Sequence, residues 1–127
     1  MMPPSPSGPN RKRQRAERAG LRAETLAAWF LRLKGYRILA TRYRTPVGEI
    51  DIVARHWRTL VFVEVKARRS AEEYGMALEA VNARRISRAA NHYLAHRRLN
   101  LDTDMRFDVI FLAPRRWPRH LINAFGA

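Results

Sequence analysis

Apolar positions recur along this chain with two different periods. From about Glu17 to Lys34, residues Ala19, Ala23, Leu26, Ala27, Phe30 and Leu33 fall at the three-to-four spacing of an amphipathic helix, and Gly35 supplies its stop. The period then shortens to two. Tyr36 to Arg44 reads as a first strand, with Thr45-Pro46-Val47-Gly48 as the turn out of it. A second strand covers about Glu49 to Ala54, a turn Arg55 to Arg58, and a third strand about Thr59 to Ala67. A linker from Ala71 to Met76 contains Gly75. The helical period then returns from about Ala77 to Arg97, with Leu78, Val81, Ile86, Ala89, Ala90 and Tyr93 on one face. Arg85 falls within that apolar face, an odd place for an unpaired cation. Met105 to Ala113 is a fourth strand, Pro114 to Pro118 a turn, and His120 to Ala124 a short last strand.

The resulting order, αβββαβ(β), predicts an α/β fold with a mixed sheet flanked by helices. Three successive strands form an antiparallel meander, and the long helix crosses over to the fourth. Residues 1–15, rich in Pro, Ser, Gly and Arg and without an apolar period, are expected to be a disordered basic tail. Residues 16–127 are expected to form a single domain, and 127 residues suffice for a real core. No apolar run approaches the roughly 18 residues of a membrane span. The N-terminus lacks the apolar stretch of a signal peptide. Zero cysteines exclude disulfides and thiolate metal sites and fit a cytoplasmic protein.

Charge changes the picture most. Lys and Arg number 25 against 11 Asp and Glu, a net +14, which points to a polyanionic partner, nucleic acid before membrane. Only Lys12, Lys34 and Lys66 are lysines, so a uniform arginine bias is the competing explanation.

Against this basic background, acids inside apolar strands stand out. Asp51 lies between Ile50 and Ile52. In the third strand Val61, Val63 and Val65 share one face, while Phe62, Glu64 and Lys66 share the other. Carboxylates rarely leave water without a cation or metal. Asp51 and Glu64 on neighbouring strands supply two hard oxygen ligands for Mg²⁺ or Mn²⁺, with the carbonyl of Val65 as a third. Lys66, one pleat on from Glu64, is placed to orient or deprotonate water, or to hold a phosphate. A buried ion pair with Lys66 would satisfy the same residues, and spacing does not separate the two. Glu49 shares a face with Asp51 but reads more simply as a solvated strand-start residue. His92 and His96, though four apart, lack an HExxH-type glutamate, and the four histidines show no metal-ligand pairing with carboxylates. Trp57, between Arg55 and Arg58, has the composition of a base-stacking turn. Arg68 and Arg69 extend the basic character beyond the third strand.

The order of Glu24 on the first helix, Asp51 in GEID and Glu64-x-Lys66 in VFVEVKAR resembles the PD-(D/E)xK nuclease superfamily. More narrowly, GLRAETLAAWFLRLKGYRIL, GEIDIVA, LVFVEVKAR, RFDVIFL and HLINAF are similar to the YraN-like family, over nearly all of residues 20–125. The resemblance implies a restriction-endonuclease-like αβββαβ core and a nuclease acting on branched or structured DNA. It implies Asp51 and Glu64 as metal ligands, Lys66 as the catalytic lysine, Glu24 as a helix-borne acid, and Arg85 as a basic residue facing the site. Arg58, Arg68, Arg69, Arg85 and Trp57 are the expected nucleic-acid contacts. The superfamily's leading Pro is absent, since Ile50 precedes Asp51. Junction resolvases of that superfamily are dimers, so a homodimer is the assembly the resemblance suggests. The competing reading is a non-catalytic nucleic-acid-binding module on the same fold. A polyanion-binding structural protein of the ribosomal kind would explain the charge but not the acids.

Overall fold

The computed structural model describes residues 9–99 and 103–125. Helix α1 (Pro9–Leu33) leads into three strands, β1 (Arg37–Thr45), β2 (Gly48–His56) and β3 (Thr59–Ala67). A 3-10 turn (Ala71–Glu73) and two helices follow, α2 (Tyr74–Glu79) and α3 (Ala83–His96), then β4 (Met105–Leu112) and β5 (Arg119–Leu121). The five strands lie side by side in chain order. All neighbours are antiparallel except β3 and β4, which run parallel because α2 and α3 carry the chain back across the sheet. The sheet is thus mixed and helix-flanked, the α/β arrangement expected from the pattern and consistent with the restriction-endonuclease-like core that the resemblance implies.

Alternation along β3 decides what each face buries. Val61 and Val63, with Ile52 and Ile110, pack under Ala23, Ala27, Ala28 and Leu31 of α1. Leu60 and Phe62, with Val53, pack under Ala89, Ala90, Tyr93 and Leu94 of α3. A central strand covered on both faces reads as a nearly continuous apolar run, as Leu60 to Val63 does. The polar half of β3, from Glu64 on, lies beyond this double cover.

Four expectations are corrected. Helix α1 begins at Pro9, so residues 9–15 of the anticipated tail are helical, and residues 1–8 lie outside the described residues. Lys, Arg, Gln, Ala and Glu are good helix formers that need no apolar face, and proline is tolerated at a first helical position. The single helix over 77–97 is two helices, because Asn82 starts a new one. Its side chain accepts from the Arg85 N–H at 3.0 Å. The turn between β2 and β3 shrinks to Trp57 and Arg58, with Trp57 in a left-handed conformation at φ +58°. The last strand is only Arg119–Leu121.

One buried acid serves the fold. Asp108 of β4 accepts from Arg106 Nε (2.9 Å) and from the Asn123 N–H (2.9 Å), and His120 Nε2 lies 2.7 Å from its Oδ2. Burial opposes ionisation there, but His120, Arg106 and Asn123 together hold the Asp108 carboxylate below its usual range. His120 therefore has a carboxylate partner, one that ties β5 to the sheet.

Candidate functional site

Strands β2 and β3 pair from His56↔Thr59 as far as Ile52↔Val63. One further rung of that register sets Asp51 opposite Glu64. At this point the Val65 N–H donates to Asp51 Oδ2 over 2.8 Å, so a side chain takes a main-chain donor where the ladder ends. Val65 thus meets Asp51 through its N–H, a contact the pattern did not anticipate. On the other side of β2, the pairs Thr41↔Ile52 and Tyr43↔Ile50 bracket Arg42, which takes a left-handed φ of +50°.

Asp51 joins two groups of charges. Oxygen atoms of Glu24, Glu49 and Asp51 lie within 4.8 Å of one another. Helix α1 delivers Glu24 to this cluster because its neighbours Ala23 and Ala27 are buried against the sheet. Arg42 Nε sits 3.7 Å from Glu24 and 3.5 Å from Glu49, and Arg44 Nε 3.4 Å from Glu49. The second group lines a cleft of about 240 Å³, where Asp51 and Glu49 meet Glu64, Lys66 and Arg85. Arg85 gets there from the first turn of α3 by crossing Gly48. A Cβ at Gly48 would lie 2.6 Å from Arg85 Cδ and 2.8 Å from Cγ, and its φ is +151°.

The acids are crowded, and their proton affinities register it. Burial, then the hydrogen bond and charge of Asp51, push Glu64 up to about 9 against the downward pull of Lys66 and Arg85. Burial, then the charge of Asp51, push Glu24 up to about 7, and Arg42 only partly offsets this. Among the described residues, no ion pair within 4.0 Å joins Lys66 to Asp51 or Glu64. The simple ion-pair reading of these strands therefore lacks its contact. The close grouping of carboxylates, an all-oxygen donor set, suits a hard divalent ion.

The predicted residues do not all converge. Glu24, Asp51, Glu64, Lys66 and Arg85 gather around the end of β3. Arg68 and Arg69 line a neighbouring shallow pocket with Glu73 and Pro114, and the Arg69 N–H donates to Glu73 Oε2 at 3.0 Å. Trp57 and Arg58 stand at the opposite end of the strands, six residues from Asp51 and so roughly 20 Å away at about 3.3 Å per residue. Two participants escaped sequence reasoning. Glu49 carried a signal, its shared face with Asp51. Arg42 carried none, because its part depends on a left-handed backbone turn inside a strand.

A mixed sheet with an acid-bearing first helix, an Asp within β2 and a Glu-x-Lys on β3 fits the PD-(D/E)xK-like nuclease superfamily. Within it, residues 23–112 match the model of the uncharacterised protein family UPF0102, the YraN-like family, and the chain belongs to that family. A UPF0102 protein of Parvibaculum lavamentivorans is 54% identical over 110 residues, covering 87% of this chain and 83% of its relative. Another from Methylorubrum populi is 48% identical over 120 residues, covering 94% and 96%. Among the described residues no helix is long and apolar enough to cross a membrane.

Proposed function

We propose that this protein is a Mg²⁺- or Mn²⁺-dependent endonuclease that hydrolyses phosphodiesters of branched or structured DNA in the cytoplasm. The observation that carries the reading is the position of Asp51, in contact with the Glu24–Glu49 cluster on one side and with Glu64 on the other. Asp51 and Glu64 would hold the ion, with Glu24 beside them and the Val65 carbonyl as a further oxygen. When bound, such an ion polarises a phosphoryl oxygen and lowers the pKa of water.

The rest of the chemistry belongs to the chain. Lys66 lies in the cleft with no carboxylate within 4.0 Å among the described residues, so its three N–H donors are placed to orient the attacking water and meet the phosphate. Arg85 is a fixed cation that cannot serve as a base. It offsets the growing negative charge and holds the substrate backbone. Arg68 and Arg69 continue this basic track past β3. Trp57 and Arg58 would reach the duplex about six base pairs away, at about 3.4 Å per pair.

The test is a cleavage panel of branched, duplex and single-stranded DNA with Mg²⁺, Mn²⁺ or EDTA, run beside Glu64→Ala. Metal-dependent cleavage by the parent that Glu64→Ala lowers at least about 100-fold supports the reading. Equal cleavage by both, or none by the parent on any substrate, removes it.

A further inference from the structure

A groove larger than the acidic cleft opens elsewhere on the described residues. It lies between α1 and the turn joining β4 to β5, with a volume of about 600 Å³. Its walls present Trp29 and Leu33 from α1 and Trp117 from the turn, which are 59%, 79% and 83% exposed. Such large apolar groups side by side in water mark a binding surface. The cations among its lining residues are Arg22, Arg68 and Arg116, and no acid is among them. Arg32 adds a guanidinium 5.0 Å from the Trp29 ring.

We propose that this groove seats unpaired bases of a single-stranded DNA segment that continues from the catalytic cleft. The inference rests on the nuclease reading for what happens at the cleft and names the substrate feature that site prefers. Exposed indoles inside a cationic rim ask for a partner with flat apolar faces and regularly spaced negative charge. Unpaired nucleotides supply both, whereas a duplex keeps its base faces stacked inside. A second copy of this chain fits poorly, because it would set arginine against arginine at a net charge of +14 per copy. Position makes the last connection. The groove floor includes Ala67 and Arg68, which directly follow Lys66, and Ala23, which directly precedes Glu24. Ala67 lies one alternation on from Lys66, on the opposite face of β3, so a DNA strand whose phosphate meets Lys66 reaches the groove by passing around the end of β3.

The experiment measures affinity by fluorescence anisotropy for blunt duplex and for the same duplex with a single-stranded tail, in EDTA, so that cleavage plays no part. The full chain should bind tailed DNA at least about tenfold more tightly than blunt DNA. Trp29→Ala and Trp117→Ala should each remove about tenfold of tailed affinity, within the range for loss of one stacked base, and change blunt affinity by less than about twofold. Trp117→Phe should keep the preference, and Met76→Ala, an exposed apolar residue outside the groove, should leave it untouched. Both groove indoles are more than half exposed, and melting curves confirm folding of each variant. Equal losses on blunt and tailed DNA, no loss on either, or a groove variant that changes only self-association or adhesion to anionic vesicles would overturn the proposal. Tail preference without cleavage removes the nuclease reading and leaves the groove. Cleavage without tail preference does the reverse.

Discussion

Asp51 is where the charges of the site meet, and the proton affinity of Glu64 is the residue-scale consequence. Glu64 titrates near 9 in the folded protein against an ordinary value of 4.5. The folded state therefore holds that proton more tightly than the unfolded chain, and metal-free stability is full below about 4.5 and falls as pH rises towards about 9. Glu24 adds the same sign up to about 7. Gln at position 64 mimics the protonated acid without the penalty. Glu64→Gln should therefore melt above the parent at pH 8.5 without metal, by about 4 °C for each kcal/mol relieved, and should match it near pH 4.5. Metal competes with protons for the same oxygens, so the Mg²⁺-induced rise in Tm should grow from pH 6 to pH 8.5. It should vanish in Asp51→Asn. If these acids instead neutralised a buried cation, each variant would lose about 3–5 kcal/mol and melt far below the parent at every pH. Calorimetry across this pH range separates the two. Asp51, Glu64 and Lys66 were legible in the sequence because ionisable groups inside apolar strands violate the expected burial. Arg42 was not, since nothing in a strand pattern announces a left-handed residue.

Among the elements, the break between α2 and α3 matters most, because it aims Arg85. A continuous helix would have set Arg85 within a buried stripe. Instead Asn82 ends the run, caps α3, and leaves Arg85 in its first turn, above Gly48 and facing the cleft. The apolar period over Leu78 to Tyr93 survives the interruption, which is why periodicity alone joined the two helices. The asparagine was the signal that outweighed it. Asn82→Ala should cost about 1 kcal/mol in urea unfolding, and Asn82→Asp should recover most of it. Gly48→Ala carries two penalties, a strained φ and a collision with the Arg85 stem. Removing the stem leaves only the first. The stability cost of Gly48→Ala should accordingly be smaller in an Arg85→Ala background than in the parent, and a double-mutant cycle reads the difference. Equal costs would mean that Arg85 does not lie across Gly48 in solution. The faces of β3 needed no such correction, although the turn before it shortened to Trp57 and Arg58, since alternation over Thr59–Ala67 leaves only one set of faces.

At the scale of the whole molecule, the net charge of +14 becomes a statement about where the charges are placed. Residues 12–15, expected in a free tail, instead project from the first turns of α1, and Arg22 further along the same helix borders the apolar groove. Arg85 faces the cleft, Arg68 and Arg69 follow Lys66, and Arg58 caps the far hairpin. If the arginines were mere compositional bias, removing any one would change binding little and uniformly. If they follow a DNA backbone, each contact releases counterions, and the logarithm of affinity falls with the logarithm of salt at about −0.9 per phosphate for duplex. A track through Arg58, Lys66, Arg68, Arg69 and Arg85 then gives a slope of roughly −4 to −5. Arg85→Ala should reduce its magnitude by about one, while Glu64→Gln should leave the slope alone and tighten metal-free binding only above about pH 9, where the Glu64 carboxylate is ionised. Titrations of a branched duplex in EDTA from about 50 to 200 mM salt give the slopes directly. A flat dependence would mean the charge belongs to composition, and an unchanged slope in Arg85→Ala would take the DNA backbone out of the cleft that holds Asp51 and Glu64.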